Sequence, residues 1–565
     1  MATEKVKEFL ANTFGYQEFR RGQEDVVAAV LAGRDVLVVM PTGAGKSLCY
    51  QLPALLLPGL TLVVSPLIAL MKDQVDELNR RGVAATFINS SLSPKERSER
   101  TAEVLAGRYQ LLYVAPERFY DQPFVSALAG ITVSLFAVDE AHCISEWGHD
   151  FRPSYLRLRP VLEALHRPPV IALTATATPD VREDIVKALA LNDPLVVVTG
   201  FDRPNLTYGV IRATPTEKIE KVLELVERVP GPAIVYGGTR DTVDTLREVL
   251  EMNDISVAAY HAGMDKVDRA EAQRRFMNDE AQVMVATNAF GLGIDKANIR
   301  LLVHFDLPGT LEAYYQEAGR AGRDGKPSYA VLLYHPSDRY LREFFIEGEN
   351  PSPQLIREVY RYLTQQVGEV IQTTYSEILA GVGMKAPELA VSTAMKTLEH
   401  AGYLKRPREG ALEAKLQLLH PLEEVDTAVL PRAKVQRQVW ELLRDTYQKE
   451  LENGISFSVE ELIRDRAVSR EAVSRSLRAL NDKGVLVYQP PFRGQEIRLL
   501  ERTDPEKLDL DWVALRAKRR RGEQKLALME TYAHTSNCRR AYVLHYLGDR
   551  DAPDTCAACD NCMTV

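Results

Sequence analysis

The 565-residue sequence contains no apolar run approaching the roughly 18 to 20 residues that a membrane span needs. Its start, Met1–Leu10, is charged and lacks a cleavable signal pattern, so the expected address is the cytoplasm, with the nucleoid, and away from membranes. Cysteine is scarce: six residues, four of them in the last stretch of the chain. So lopsided a distribution excludes a disulfide framework and, in a reducing compartment, points to a metal. Positive charge is not in excess either, the net charge being −8. That excludes a uniformly cationic surface but not a polyanion partner, because affinity for phosphates depends on where the cations lie. One run, Lys518-Arg519-Arg520-Arg521, is locally basic; a solvated helix face and a phosphate contact both account for it.

The rest of the composition, 45% hydrophobic and 26% charged, is that of an ordinary globular protein. The length is too great for one core and suggests roughly three to five domains. Short apolar runs alternate with helical patterns at 36–40, 61–65, 111–114, 135–138 and 170–173, then again at 232–236, 257–260, 283–286, 301–304 and 330–333. Strands of this kind, separated by helices, predict two α/β domains with parallel sheets, joined near Phe201-Asp-Arg-Pro-Asn205. Beyond residue 345 the strand series stops. Two segments follow in which helices precede a short β-ribbon. In the second, 485–488 is expected to pair with 496–500 across Pro490-Pro-Phe-Arg-Gly494. Both are similar to winged-helix modules, which bind DNA in some proteins and only protein in others. The expected limits are 1–205, 206–345, 346–425, 426–505 and 506–565.

The chemistry starts at Met40-Pro-Thr42-Gly43-Ala44-Gly45-Lys46-Ser47, where a predicted strand runs into a glycine-rich turn and then a helix. That is the setting of a phosphate-binding loop. Gly43 and Gly45 let backbone amides turn in around a phosphate, Lys46 brings charge to the β- and γ-phosphates, and Ser47 is placed to ligate Mg²⁺. A second apolar strand delivers Asp139-Glu140-Ala-His142: Asp139 for the metal, Glu140 for the attacking water. Gln316-Glu-Ala-Gly-Arg320-Ala-Gly-Arg323 offers two arginines that, reaching across a cleft, would stabilise the charge that develops on the γ-phosphate. ATP is the expected nucleotide.

Taken in order, these motifs resemble those of superfamily 2 helicases, and specifically of the RecQ family. The resemblance rests on Phe14–Gln23, Met40–Ser47, Ser65–Gln74, Asp139–His142, Thr174–Thr178, Ala286–Asp295 and Gln316–Arg323, covering roughly residues 10–335. It implies two RecA-like parallel-sheet motor domains, with winged-helix-like segments and a small helical zinc-binding module after them. It further implies that Tyr16, Arg20 and Gln23 hold the adenine, that Thr174 and Thr176 couple the sites, and that 287–295 tracks the strand. The stretch His142–Tyr155, with Trp147, Phe151 and Arg152, resembles the family's aromatic-rich loop, which senses single-stranded DNA. Aromatic and guanidinium planes can stack on bases at about 1–3 kcal/mol each; closing a core is the bland alternative for Trp147 and Phe151.

Cys538, Cys556, Cys559 and Cys562 have the spacing C-x17-C-x2-C-x2-C. Four thiolates suit a closed tetrahedral Zn²⁺ site, while the C-x2-C-x2-C run alone also fits an iron–sulfur cluster. Asn537–Arg540 and Cys556–Cys562 resemble the RecQ zinc module, in which the four cysteines are ligands. The usual order places that module directly after the motor; here it comes last, after some 170 residues, with no terminal helical domain behind it. Phe492, at the expected ribbon tip, is the candidate wedge for splitting a duplex, with packing against the motor as its other explanation. The resemblance implies an ATP-dependent 3′→5′ DNA helicase of recombination and repair. Its expected partners are single-stranded and branched or tailed duplex DNA and a single-strand-binding protein, and it is expected to act as a monomer. An RNA helicase and a DNA-binding regulator with a vestigial motor are the competing classes.

Overall fold

A computed structural model describes residues 2–41, 43–146, 148, 150–291, 294, 296–368, 370–406, 413–428, 434–463, 466, 468–489, 495–549 and 551–563. The first seven strands are β1 Val36–Val39, β2 Leu60–Val64, β3 Ala85–Ile88, β4 Leu111–Val114, β5 Val133–Val138, β6 Val170–Thr174 and β7 Leu195–Val198. They form one parallel sheet in the order β3-β4-β2-β5-β6-β1-β7. The central strands are apolar at nearly every position because helices cover both faces, which removes the alternation of a half-exposed strand. A second parallel sheet is built from β8 Leu206–Arg212, β9 Ala233–Tyr236, β10 Val257–Tyr260, β11 Val283–Ala286, β12 Leu301–His304 and β13 Ser328–Tyr334. Its order is β10-β11-β9-β12-β13-β8.

Both predicted parallel-sheet domains are therefore present. The three strands that the sequence pattern did not single out, β3, β7 and β8, all lie at sheet edges. An edge strand has a neighbour on one side only, and its composition is less constrained. β8 alternates buried Leu206 and Tyr208 with half-buried Thr207 and Gly209, and β7 is half-exposed along most of its length.

The remaining strands are β14 Val370–Thr373, β15 Leu404–Lys405, β16 Glu413–Leu418, β17 Ile455–Ser458, β18 Leu486–Gln489 and β19 Gln495–Leu499. Here the pairing departs from the expected pattern of two modules in succession. β19 pairs antiparallel with β14 and β15, and β18 pairs with β16, which also pairs with β17. One core gathers the helices Pro353–Gln365, Tyr375–Val382 and Glu388–His400 with Ile371, Leu404 and Ile497. The other gathers Lys434–Tyr447 and Arg470–Asp482 with Leu416, Phe457 and Leu486. The second module is thus inserted inside the first, between β15 and β19, and the expected limit at 425/426 does not follow the strand partnerships. Periodicity locates strands but not their partners, and here the sheet partners of neighbouring segments are far apart in sequence. Phe492 and the turn expected at 490–494 lie outside the described residues. Among the described residues, the strands on either side of it pair elsewhere, β18 with β16 and β19 with β14 and β15.

The chain falls into two compact units, one taking in Met1–Glu343 with Arg521–Val565, the other Phe344–Arg520. The cysteine-bearing end, from Arg521 on, accordingly packs with the two parallel-sheet domains. Arg540 donates to the carbonyls of Pro204 (3.1 Å) and Leu206 (2.7 Å). Asp549 accepts from the Phe201 amide at 3.1 Å, and Asp560 from the Val210 amide at 2.9 Å. Arg182 of the first domain donates to the Leu547 carbonyl. The module that comes last in sequence is packed on the joint between the domains and on the exposed edge of β8. Among the described residues, no helix is long and apolar enough to cross a membrane.

Candidate active site

A cavity of about 730 Å³ lies between the two parallel-sheet domains and is lined by Tyr16, Arg20, Gln23, Gly43, Gly45, Lys46, Ser47, Asp139, Glu140, Gln316, Arg320 and Arg323 among others. Nearly every residue singled out for nucleotide chemistry is brought to this one cleft; Thr42 lies outside the described residues. The loop after β1 turns through Gly43 and Gly45, both at φ 81°, and passes into the helix Leu48–Ala54. Lys46 Nζ donates to the Met40 carbonyl at 3.1 Å and the Pro41 carbonyl at 3.3 Å, so its ammonium closes the loop on itself. Burial lowers the Lys46 pKa, against the pull of Glu140 and Asp139.

Gln23 and Arg20 also sit on this loop. The Gln23 side-chain amide donates to the carbonyls of Ala44 and Gly45, each at 3.0 Å, and accepts from the Arg20 amide at 2.9 Å. The Arg20 guanidinium donates to the Gly43 carbonyl. Tyr16 is 46% exposed at the mouth of the cleft. A Cβ at residue 45 would stand 2.7 Å from Gln23 Nε2, at a left-handed backbone angle that disfavours any side chain. Gly45→Ala is therefore expected to strain the loop by about 1–3 kcal/mol and to raise the KM for ATP by one to two orders of magnitude. An unchanged KM in steady-state hydrolysis would show that the loop does not need this glycine.

Asp139 and Glu140 follow β5. The Asp139 amide donates to the Val64 carbonyl at 2.8 Å, extending the sheet by one bond, and Tyr155 Oη donates to the Asp139 carbonyl at 2.9 Å. Glu140 has φ 47°, an uncommon angle for a residue with a side chain, and this turns the chain sharply at the sheet's end. Burial and the adjacent Glu140 carboxylate push the Asp139 carboxyl up to about 7, against the pull of Lys46. Two half-buried carboxyls lining the same cleft as the Ser47 hydroxyl are hard oxygen donors of the kind a divalent cation binds, and a cation there would reverse that upward shift. His142 is buried, its Nδ1 lying 2.8 Å from Thr174 Oγ1 and 3.3 Å from Glu140 Oε2. The Thr174 hydroxyl in turn accepts from the Thr176 amide at 3.2 Å.

The loop beyond this turn is pinned at both ends. Ser145 Oγ donates to Asp184 at 2.7 Å, while Arg152 makes a paired contact with Asp150 and donates to the Pro66 carbonyl at 3.3 Å. Phe151 is half-buried. Trp147 lies outside the described residues. In the second domain, Arg320 donates to the Gly291 carbonyl and Arg323 to the Ile294 carbonyl at 2.7 Å. Sequence reading did not single out Arg203, whose guanidinium donates to the carbonyls of Gly319 (3.1 Å), Ala321 (2.9 Å) and Gly322 (2.8 Å) and so shapes the loop carrying both arginines. Its position in the joint was the available signal.

At the cysteine cluster, the four sulfurs of Cys538, Cys556, Cys559 and Cys562 lie within 4.8 Å of one another, Cys559 and Cys538 being 4.0 Å apart. Tetrahedral Zn–S bonds of about 2.3 Å put sulfurs roughly 3.8 Å apart, so the donor set fits zinc with little adjustment. Arg539 braces the loop, donating to Asp560 at 2.6 Å and to the Tyr532 carbonyl at 2.6 Å.

A phosphate loop and a DEAH turn on one parallel-sheet domain, facing paired arginines on a second, define the two-domain core of a DEAD/DEAH box helicase. The DEAD/DEAH box helicase family matches residues 20–185, the helicase conserved C-terminal domain 217–325, and the RecQ zinc-binding family 500–563. The chain belongs to the RecQ family. It is 40% identical over 421 residues to a probable ATP-dependent DNA helicase RecS of Bacillus subtilis, covering 74% of this chain and 84% of that one. It is 48% identical to the ATP-dependent DNA helicase RecQ of the same organism, over 61% of this chain and 58% of the relative. The RecQ helicase of Pasteurella multocida is 46% identical over 64% of this chain and 56% of its own length. The chain thus spans little more than half the length of these two RecQ helicases. Among solved structures, the DUF1998 helicase MrfA bound to DNA shares the fold, with a TM-score of 0.50 at 20% identity, over 72% of this chain and 62% of that one.

Proposed function

We propose that this chain is an ATP-dependent DNA helicase that moves 3′→5′ on single-stranded DNA and opens duplexes, in recombination and repair. The observation that carries the reading is the cleft, where Lys46, Asp139 and Glu140 of one domain face Arg320 and Arg323 of the other. In that cleft Lys46 would exchange the carbonyls of Met40 and Pro41 for the β- and γ-phosphates of ATP. Ser47 and Asp139 would hold Mg²⁺, which supplies neutralising charge at the phosphates. Glu140 would orient the attacking water, and Arg320 and Arg323 would leave their own-loop carbonyls to meet the γ-phosphate as the domains close. Tyr16, Arg20 and Gln23 would take the adenine, Gln23 by releasing the loop carbonyls it now holds.

The contacts that run from Glu140 through His142 to Thr174 would couple the hydrolytic carboxylate to the tracked strand, and Trp147, Phe151 and Arg152 would stack on its bases. Cys538, Cys556, Cys559 and Cys562 would hold a structural Zn²⁺. The names of the RecQ and RecS relatives support DNA as the substrate. Tailed or branched duplexes, a single-strand-binding protein as partner and a monomeric motor at the nucleoid complete the reading.

The test is unwinding of matched duplexes with a 3′ or a 5′ single-stranded tail, each also prepared as RNA. Strand separation confined to the 3′-tailed DNA is expected. Opening of the 5′-tailed duplex would reverse the polarity, and ATP hydrolysis stimulated by RNA but not by DNA would replace the substrate.

A further inference from the structure

The long helix Trp512–His534 carries the basic run that the catalytic scheme leaves unused. Within the first compact unit, two of its cations, one helical turn apart, reach different parallel-sheet domains. Arg521 Nη2 donates to Glu146 Oε2 at 3.0 Å, in the loop that follows the DEAH turn. Lys525 Nζ donates to Glu312 Oε1 at 2.8 Å, in the first turn of the helix Leu311–Ala318. That short helix contains Gln316 and leads straight into Arg320 and Arg323. A second tie comes two turns further along the long helix, where Tyr532 Oη and Tyr314 Oη share a hydrogen bond of 2.8 Å.

The two ion pairs differ in permanence. The Glu312 side chain is only 3% exposed, and a carboxylate buried to that degree depends on its cation. The Glu146 side chain is 51% exposed, so its pair with Arg521 is screened by water and exchanges readily for a better anion. A phosphate diester is such an anion, since guanidinium binds it through two parallel hydrogen bonds. The loop holding Glu146 is the one to which the helicase reading assigns the single strand.

We propose that Arg521 and Lys525 are positioning residues that make the arginine pair respond to occupancy of the loop. A strand at the loop draws Arg521 from Glu146. The long helix, anchored through Lys525 and Tyr532 to the helix before Arg320 and Arg323, carries that displacement to the cleft. Neither residue touches ATP; both act through Glu312 and the short helix. The proposal rests on the helicase reading for its ligand.

The experiment is steady-state ATP hydrolysis by the full chain, with and without an oligo-dT strand. Arg521→Ala and Lys525→Ala are expected to lose about tenfold of the stimulated kcat, with unstimulated turnover and the KM for ATP within about twofold of wild type. Lys525→Arg is expected to keep most of the stimulation, and Arg521→Lys, whose ammonium lacks the paired donors, an intermediate part of it, which a purely steric role for the side chains would not predict. Zinc content and thermal unfolding are followed in parallel; if Lys525→Ala loses either, Arg521→Ala, whose partner Glu146 is half-exposed, decides. Wild-type stimulation in Arg521→Ala overturns the proposal, as does failure of both conservative variants. A wild-type chain that oligo-dT does not stimulate overturns the helicase reading instead, and this proposal with it, a result distinguishable because it appears before any substitution is made.

Discussion

Replacing Lys46 with alanine is expected to lower ATP turnover roughly a thousandfold, and unwinding with it. The effect is large because nothing nearby takes over its task. Lys46 is the cation that burial places against Asp139 and Glu140, and Arg323 belongs to the opposite domain. Without the ammonium, the two carboxyls would face the polyphosphate with one positive charge fewer, in a site where burial already pushes the Asp139 carboxyl up. Single-turnover hydrolysis at saturating ATP is the measurement, with nucleotide binding followed separately. A variant that hydrolyses ATP within tenfold of wild type would remove Lys46 from the chemistry. One that binds ATP normally but does not turn over would confine its role to the transition state.

The second large effect is expected at the cysteine cluster. Cys559 is fully buried, and its neighbour Asp560 bonds both Arg539 and the Val210 amide of the edge strand β8. Cys559→Ser should therefore release more than a metal. Structural zinc contributes apparent binding free energies of about 10–16 kcal/mol in small modules, and in them that energy is folding energy. Here the module covers β8 and the joint at 201–206, so its loss is expected to lower the thermal unfolding temperature of the two parallel-sheet domains as well as to abolish metal binding. Metal analysis and calorimetry of the variant, beside wild type treated with a chelator, make the check. Stoichiometric zinc in the variant, or an unchanged unfolding temperature, would show that the cluster does not bear on the motor's stability. Iron with a visible charge-transfer absorption would favour the iron–sulfur alternative.

The cleft was legible because its parts are local. Residues 40–47, 139–142 and 316–323 each supply one wall of it within a few positions, and buried parallel strands announce themselves as short apolar runs. What was not legible depends on contacts between distant segments. Beyond its place in the joint, Arg203 gives no sign in sequence that it will hold the carbonyls of Gly319, Ala321 and Gly322. Glu312 reads as an ordinary acidic residue in a first helical turn, which the helix dipole favours anyway, until Lys525 is seen against it. The two winged-helix-like segments were visible as helices and ribbons, but strand partnership is a tertiary property, and β19 was assigned to the wrong neighbour. The unfamiliar position of the zinc module was also a matter of chain order alone, because in space it lies against the motor.

The nesting of β16–β18 between β15 and β19 has a consequence for how the chain is made. Residues 413–489 carry all the strands of their own sheet and can close as soon as they are synthesised. The surrounding module must wait for β19 before β14 and β15 have a partner. The bond between Val210 and Asp560 closes across 350 residues, so the edge of the second parallel sheet stays uncovered until residue 560 has emerged. Assembly therefore runs from the inside outward, with local pairs before distant ones, as the entropy of loop closure requires. The first parallel-sheet domain is translated before the second, and the joint between them is covered only once the cysteine module has followed.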